Sequence, residues 1–292
     1  MSVATGAAPV SPPARRTKAK RMRRPGEGGP WGVIAWIVAL LFFAPIAFMV
    51  LTSFHQEVDA ATSPPNLFAP LTLDQYANVF SRNITPYMVN SLMAAGGSTL
   101  LAVALAIPAA YATSVKPIER ASGVLQWVLS TKFLPLIGAL LPVYITFQAL
   151  GLLDTIGALV IFYTGMNLPI AIWMMHSFLA EIPQDIMAAA EVDGASLPTI
   201  LARIVLPLAL PGIAATSLIC FILSWNEFLF ALNLTATTAA TSPVYLVSFI
   251  TSEGLFLSQL SAASLVVCIP VLIAGWVAQD QLVQGLSMGA VK

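Results

Sequence analysis

The sequence predicts an all-α integral membrane protein with six transmembrane helices. Three observations carry this: its composition, the lengths of its apolar runs, and the distribution of its basic residues. Of the 292 residues, 58% are hydrophobic and 9% charged, where a soluble domain has roughly 45–50% and about 25%. A soluble enzyme is excluded. So is a nucleic-acid binder, because 13 basic residues are balanced by 13 acidic ones and no net attraction for phosphate remains.

A bilayer crossing takes about 20 consecutive apolar residues. Such runs fall at Trp31–Ser53, Tyr87–Ser114, Ala121–Phe147, Ile156–Leu179, Pro207–Asn233 and Phe256–Ala278. Pro108, Pro135, Pro142, Pro169 and Pro270 lie inside them, with Gly96 and Gly97 side by side; in lipid these are read as close-packing points first and hinges second.

Orientation follows from Lys and Arg, which collect on the cytoplasmic side. With a cytoplasmic N-terminus, Arg15, Arg16, Lys18, Lys20, Arg21, Arg23, Arg24, Lys116, Arg120, Arg203 and Lys292 all fall inside, and only Arg82 falls outside. Lys132 lies within the third run and can snorkel toward the inner face. Both termini are therefore expected in the cytoplasm. The expected organisation is a disordered basic tail over 1–30, a six-helix domain over 31–279 and a C-terminal cytoplasmic tail over 280–292. Trp31–Ser53 is too long for a signal-peptide core and is read as an uncleaved first span. The segment Phe54–Pro86 reads as a short ordered cap. Cys220 and Cys268 sit in apolar stretches without CxxC spacing and read as small hydrophobes.

The chemistry is concentrated in the loop over 181–211. Pro183 opens a short helix as a first-turn proline, which Ala188, Ala189 and Ala190 continue and Gly194 ends. Ser196 then caps a second helix, with Ile200, Leu201, Ile204 and Val205 on one face and Arg203 on the other. Pro207 and Pro211 turn the chain back toward the membrane. A helix-turn-helix with small residues at its bend suits the groove of another protein.

Ala189-Ala190-Glu191-Val192-Asp193-Gly194-Ala195, followed by Ile204-Val205-Leu206-Pro207 and Pro211, resembles the "EAA" coupling loop of ABC-importer permeases, E-A-A-x-x-D-G-A then I-x-L-P and a further proline. Ala188 stands where the pattern has its leading glutamate; Glu191 offers a carboxylate one helical turn on. Trp225-Asn226-Glu227-Phe228 and the stretch Gln284–Lys292 are similar to the maltose-type second permease subunit of sugar importers. The resemblance implies a bacterial inner-membrane subunit for a carbohydrate or polyol. It also implies a second homologous permease, two cytoplasmic ATPases holding ATP and Mg, and an extracytoplasmic solute-binding protein as partners. The chain itself has no G-x-x-x-x-G-K-[ST] phosphate loop, so no cofactor of its own and no enzymatic activity are expected.

Site residues follow from the same resemblance. Ala189, Ala190, Glu191, Asp193, Gly194, Ala195 and Pro207 would couple to the ATPases, and Gly285, Ser287 and Gly289 of the tail would touch them. For Asp193, a plain helix-ending Asp-Gly turn is the alternative. Trp225, Asn226, Glu227 and Gln148 are candidates for the solute path, although a bond from Glu227 to the neighbouring permease or a position at the water interface would equally repay the cost of a charge there. Asn167, Tyr163 and Trp173 can bond or stack on a sugar but also suit packing. His55 and His176 are too far apart in topology for a metal pair. A proton-coupled secondary transporter is the alternative function, and it would need ionisable residues in several spans, where only Glu227 and Lys132 qualify.

Overall fold

Prolines decide where the long apolar runs stay straight and where they break. The computed structural model describes residues 30–290 except 63, 65, 116–118 and 253, with backbone alone for 30 and 282–290. The basic run over 15–24 thus lies outside the described residues. The chain divides into two compact units, with the boundary between Phe48 and Met49. Helix α1 (Pro30–Thr52) tolerates Pro45 in its interior, and its first nineteen described positions constitute the described part of the first unit.

In the second unit, short helices α2 (Glu57–Ala60) and α3 (Asp74–Ser81) bear out the ordered cap between the first two spans. Long helix α4 (Thr85–Ser114) follows. The third apolar run is then two helices, α5 (Ala121–Ser130) and α6 (Leu136–Ala149), joined by a 3-10 turn over Thr131–Phe133 and bent by 90°. Leu134 and Pro135 are extended at the join (ψ 132° and 114°); the ring of Pro135 disfavours a helical conformation at Leu134. The third run thus breaks at Pro135. Pro142, by contrast, stays inside α6.

Helix α7 (Ile156–Leu179) matches the fourth expected span end to end. The loop carries α8 (Gln184–Val192), α9 (Leu197–Ile200), a π-helical turn over Leu201–Val205 and α10 (Leu206–Leu208). Helix α11 (Leu210–Trp225) departs from this at 79°. Pro207 and Pro211 lack the N–H groups that would continue the ladder, which bends it. The fifth span ends at Trp225, earlier than the expected Asn233. Beyond it come α12 (Leu229–Leu234), α13 (Ser242–Val247) and a two-stranded hairpin of β1 (Ile250–Thr251) and β2 (Gly254–Leu255). Nothing in the sequence had announced the hairpin. Helix α14 (Leu257–Ala290) runs without interruption past 280, so the backbone at Gly285, Ser287 and Gly289 continues the last helix; their side chains lie outside the described residues. Four of these helices are long and apolar enough to cross a membrane, and six spans result if each bent pair is one crossing.

Helices α4 and α7 form the central pair, with α11 packed on both. Ala94, Ala102, Ala106 and Ala110 of α4 are at most 1% exposed. Small residues let helix backbones approach where lipid supplies no hydrophobic drive. Polar side chains fasten the same contact. Asn167 on α7 donates to Ser224 Oγ on α11 (2.7 Å), Ser224 shares a bond with Ser98 of α4 (3.0 Å), and Thr164 reaches the Ser98 carbonyl (3.4 Å). Cys220 is buried in this packing, whereas Cys268 lies on the exposed side of α14, so only the first is a core hydrophobe.

Candidate functional site: the bend after α8 and the cavity at Glu227

In the loop after α7, backbone hydrogen bonds close the end of α8. Pro183 stands at the N-cap of α8 with ψ 131°, one residue earlier than a first-turn proline. Met187 and Ala190, one turn apart, are buried, while Ala188, Ala189, Glu191 and Val192 face outward. At the end of α8, Ala195 N–H donates to Ala190 O and Gly194 N–H to Glu191 O, both at 3.0 Å. That pair of bonds is a Schellman motif, which needs a left-handed residue, and Gly194 supplies it with φ 71°. Asp193 is the C-cap, its N–H donating to Ala189 O at 3.0 Å, so the plain helix-ending role is met by its backbone. Ser196 is the N-cap of α9, but its hydroxyl meets that of Thr199 (2.9 Å) and no backbone N–H. Ile200 and Val205 are buried and Arg203 is exposed, on the faces expected for them. Pro207 is exposed at the start of α10.

The exposed side of the bend carries the carboxylates of Glu191 and Asp193 beside apolar surface. Val192 is 88% exposed and Leu197 53%. A Cβ built on Gly194 would meet nothing within 4 Å. The buried side belongs to one core with Ala106, Ala110 and Tyr111 of α4 and Met175 and Leu179 of α7. Sequence reasoning missed a neighbour of this core, Gly212: a Cβ there would lie 2.4 Å from Cγ of Phe178, so α11 can approach α7 only without a side chain. A glycine directly after Pro211 was the available signal.

The four candidates for a solute path separate. Trp225 is 3% exposed and stacked on Phe221 (5.5 Å between centroids); it is a core residue, because the end of α11 turns its side chain onto α4 and α14. Asn226 is exposed and bonds back to Ile222 O (2.8 Å), ending α11. Gln148 is exposed at the end of α6 and stands apart from the cavity. Only Glu227 lines a cavity, of about 410 Å³ and mostly apolar in its wall, together with Thr131, Lys132, Asn167 and the apolar Leu136, Met166, Pro169 and Leu223. Its carboxylate is fully engaged by this same chain: Oε1 accepts from Phe230 N–H (2.9 Å), Oε2 from Ala231 N–H and from the Tyr163 hydroxyl (both 3.0 Å). Glu227 thus caps α12, and Tyr163, 1% exposed, is its partner in the core. Trp173 is 46% exposed on α7, and His176 bonds Thr113 (3.1 Å).

A second carboxylate, one that sequence reasoning passed over, fastens the segment after α12. Asp154, left-handed at φ 56° in the turn before α7, accepts from the N–H groups of Ala236, Thr237, Thr238 and Ala239 at 2.9–3.1 Å. Partial burial by itself would raise its pKa; the four N–H donors outweigh that and hold it well below the usual carboxylate range. From the other side Asn90 donates to the carbonyls of Thr238 and Ala240, both at 2.9 Å. Among the described residues no three His, Cys, Asp or Glu gather as a metal site.

Residues 33–282 match the family described as "Binding-protein-dependent transport system inner membrane component". A probable ABC transporter permease protein of Sinorhizobium fredii, y4oR, is 36% identical over 263 residues, 90% of this chain and 95% of that one. The trehalose transport permease SugB of Mycobacterium tuberculosis is 30% identical over 90% of this chain and 97% of its own length. The trehalose/maltose permease MalG of Thermococcus litoralis is 32% identical, with 88% and 94% covered. Among solved structures, a bacterial ABC transporter that imports the acidic polysaccharide alginate superposes with a TM-score of 0.71 at 23% identity, covering 86% of this chain and 94% of that one; at that identity it speaks for the fold. A binding-protein-dependent system also sets aside the proton-coupled secondary transporter. A six-span helical fold, an Asp-Gly-Ala bend closed by a Schellman motif and a match over most of the length agree: the chain belongs to the binding-protein-dependent transport system inner membrane components, the permease subunits of ABC importers.

Proposed function

We propose that this permease is the channel-forming subunit of an importer for a carbohydrate or polyol, working with a second homologous permease, two cytoplasmic ATPases that hold ATP and Mg, and an extracytoplasmic binding protein. Relatives named for trehalose and maltose support the solute class. Ala189, Ala190, Glu191, Asp193, Gly194, Ala195 and Pro207 form the lever on which the ATPases act. The observation that carries this is the two-sidedness of the bend. Its outer surface offers Val192 and a glycine with open space around it, while Met187 and Ala190 beneath are packed into α4 and α7. Packed cores transmit displacement instead of absorbing it. Closure of the ATPases would therefore move α4 and α7 as rigid bodies and switch access from one face to the other.

Gly194 supplies the test. A Cβ there meets nothing within 4 Å, so added bulk would be felt by a docked partner. Asparagine tolerates the left-handed conformation; valine adds about 1 kcal/mol or more of backbone strain. Gly194→Val should abolish uptake with the protein still in the membrane. Gly194→Asn should lower it without loss of melting temperature. Wild-type uptake in both variants removes the bend from the coupling.

Both termini lie in the cytoplasm on this reading, so Ser122→Cys should be labelled from the inside only and Thr62→Cys from the outside only. Gly285, Ser287 and Gly289 approach the ATPases, and deletion of 285–292 should weaken coupling while insertion persists.

A further inference from the structure

We propose that the uncharged loop over 60–73 is a membrane-interface anchor, whose Leu67, Phe68, Leu71 and Leu73 enter the glycerol and upper acyl region of the adjacent leaflet. The contact is apolar and needs no particular headgroup. It rests on the membrane spans alone and is independent of the solute.

The first support is composition. Residues 60–73 read Ala-Ala-Thr-Ser-Pro-Pro-Asn-Leu-Phe-Ala-Pro-Leu-Thr-Leu and carry no charge; Asp59 and Asp74 flank them. Ala69 is buried, whereas Leu67, Phe68, Leu71 and Leu73 are 47%, 96%, 68% and 67% exposed. Bare apolar surface of this kind outside the spans marks contact with a protein or with a membrane.

The second support is depth, which decides between those two. Both ends of the loop are tied to the ends of spans. Directly after α1, the Phe54 carbonyl accepts from Thr72 N–H at 2.6 Å and the Ser53 and Tyr76 hydroxyls share a bond of 2.8 Å. At the start of α14, the Glu57 carboxylate accepts from the N–H groups of Ser258 and Gln259, both at 3.3 Å. Gln56 Nε2 donates to Asp74 Oδ2 (2.8 Å) and draws the two ends of the loop together. Thr72 is therefore level with the span ends, and Leu71 and Leu73 flank it. Phe68, four residues away, departs from that level by at most about 14 Å. The interfacial layer beside the hydrocarbon is roughly 5–8 Å deep, and interfacial segments seat their apolar groups about 5–10 Å into the headgroup and acyl boundary. All four side chains lie within reach of it. A soluble partner would have to displace headgroups to meet residues at this level.

The third support is the tip itself. Thr62 Oγ1 donates to the Asp59 carbonyl (2.8 Å) and accepts from Asn66 N–H (3.1 Å), and Asn66 Oδ1 accepts from Phe68 N–H (3.3 Å). Polar side chains are thus turned onto the backbone, satisfying N–H groups that enter a layer poor in water, while the apolar ones point away. Asp59 and Asp74 at the ends offer nothing to anionic headgroups, so the attraction is hydrophobic and not electrostatic.

The test uses the full-length permease in its importer complex, in phosphatidylcholine nanodiscs, with Cys220→Ala and Cys268→Ala. Spin labels are placed singly at Leu67→Cys and Leu71→Cys, and their power saturation is measured with oxygen, which enters lipid, and with a nickel chelate, which stays in water. We expect oxygen to relax both labels roughly tenfold more than the chelate does, as for groups seated below the headgroups, at low and high salt alike and with or without the binding protein. Phe68→Asp, which removes almost no packing within the chain, should reverse that ratio at both labels, and Phe68→Trp should keep it. Stronger relaxation by the chelate overturns the proposal, as does a ratio that Phe68→Asp leaves unchanged. So does chelate access that is lost only when the binding protein is added, which would make the patch its dock. Weak relaxation by both reagents would place the patch against another subunit, and a ratio lost at high salt would make the contact electrostatic; either result also overturns it.

Discussion

The two ends of α7 are finished in opposite ways. At its C-terminal end the chain continues into the bend proposed for coupling, where backbone bonds close α8 and the exposed surface, with Ala189, Val192 and Gly194, also carries Glu191 and Asp193, neither of which caps a helix with its side chain. At its N-terminal end, carboxylates do the closing: Asp154 gathers four consecutive N–H groups, and Glu227 holds the start of α12 and Tyr163. Charge-assisted bonds are roughly twice as strong as neutral ones. One end is therefore locked within the chain, whereas the other is left smooth for a partner. The difference supports the proposal that motion enters at the bend: a lever must keep its own shape while its outward face remains unfilled.

If that contrast is right, substitutions at the bend should cost transport, and those at the carboxylate end should cost stability. The largest effect on uptake is expected at Gly194: Gly194→Val should abolish it, with the melting temperature lowered by backbone strain of about 1 kcal/mol or more, whereas Gly194→Asn should lower it with thermal unfolding in detergent nearly unchanged. Gly212→Ala comes next and has both consequences, because its Cβ would sit 2.4 Å from Cγ of Phe178. Overpacking of this kind costs about 1–3 kcal/mol. The melting temperature should fall, and Phe178→Ala in the same chain should restore part of it; no fall at all would show that α7 and α11 are not in tight contact.

Asp154→Asn should be milder, costing about 2 kcal/mol for the lost charge-assisted bonds, read as a lower melting temperature with uptake per folded molecule preserved. Its pH dependence has a definite sign. The carboxyl is held below its ordinary range in the folded state, so its contribution is present above the unfolded pKa of about 3.9 and is lost only as pH falls through the depressed folded value. Between pH 5 and 8 the difference between wild type and Asp154→Asn should stay constant; a difference that vanishes at pH 5 would break the clamp assignment. The smallest effect belongs to Tyr163→Phe, which removes one bond to Glu227 and should cost about 1 kcal/mol in the same melting assay. If Tyr163→Phe abolished uptake with unchanged stability, the carboxylate end would also be part of the machinery.

How much was legible depended on whether the signal was local. Ile156–Leu179 was readable as a span because apolar composition over its length suffices, and Gly194 as a helix end because left-handed geometry is a property of one residue. Glu227 was visible as a charge in need of a reason, but not its reason, since its partners Tyr163 and the N–H groups of Phe230 and Ala231 meet only after the chain turns at Asn226. Asp154 gave no signal, because 82 residues separate it from Ala236. Trp225 illustrates the converse: a residue type suited to sugar stacking was turned inward by its position on α11.

By itself, then, the sequence determined the solvent of this protein, the number and approximate position of its apolar runs, and the chemistry of its coupling bend. Each of these follows from composition or from a bond between near neighbours. Only the tertiary structure decided that the third run bends by 90° at Leu134 and Pro135, because hydropathy runs through the break unchanged and a proline in lipid can stay in a helix, as Pro142 does, or end one. It alone decided which polar groups are satisfied. Glu227 is bonded on both oxygens, whereas Asn167 Oδ1 is buried without a partner, since hydrogen-bond satisfaction is a property of neighbours that the chain brings together from far apart.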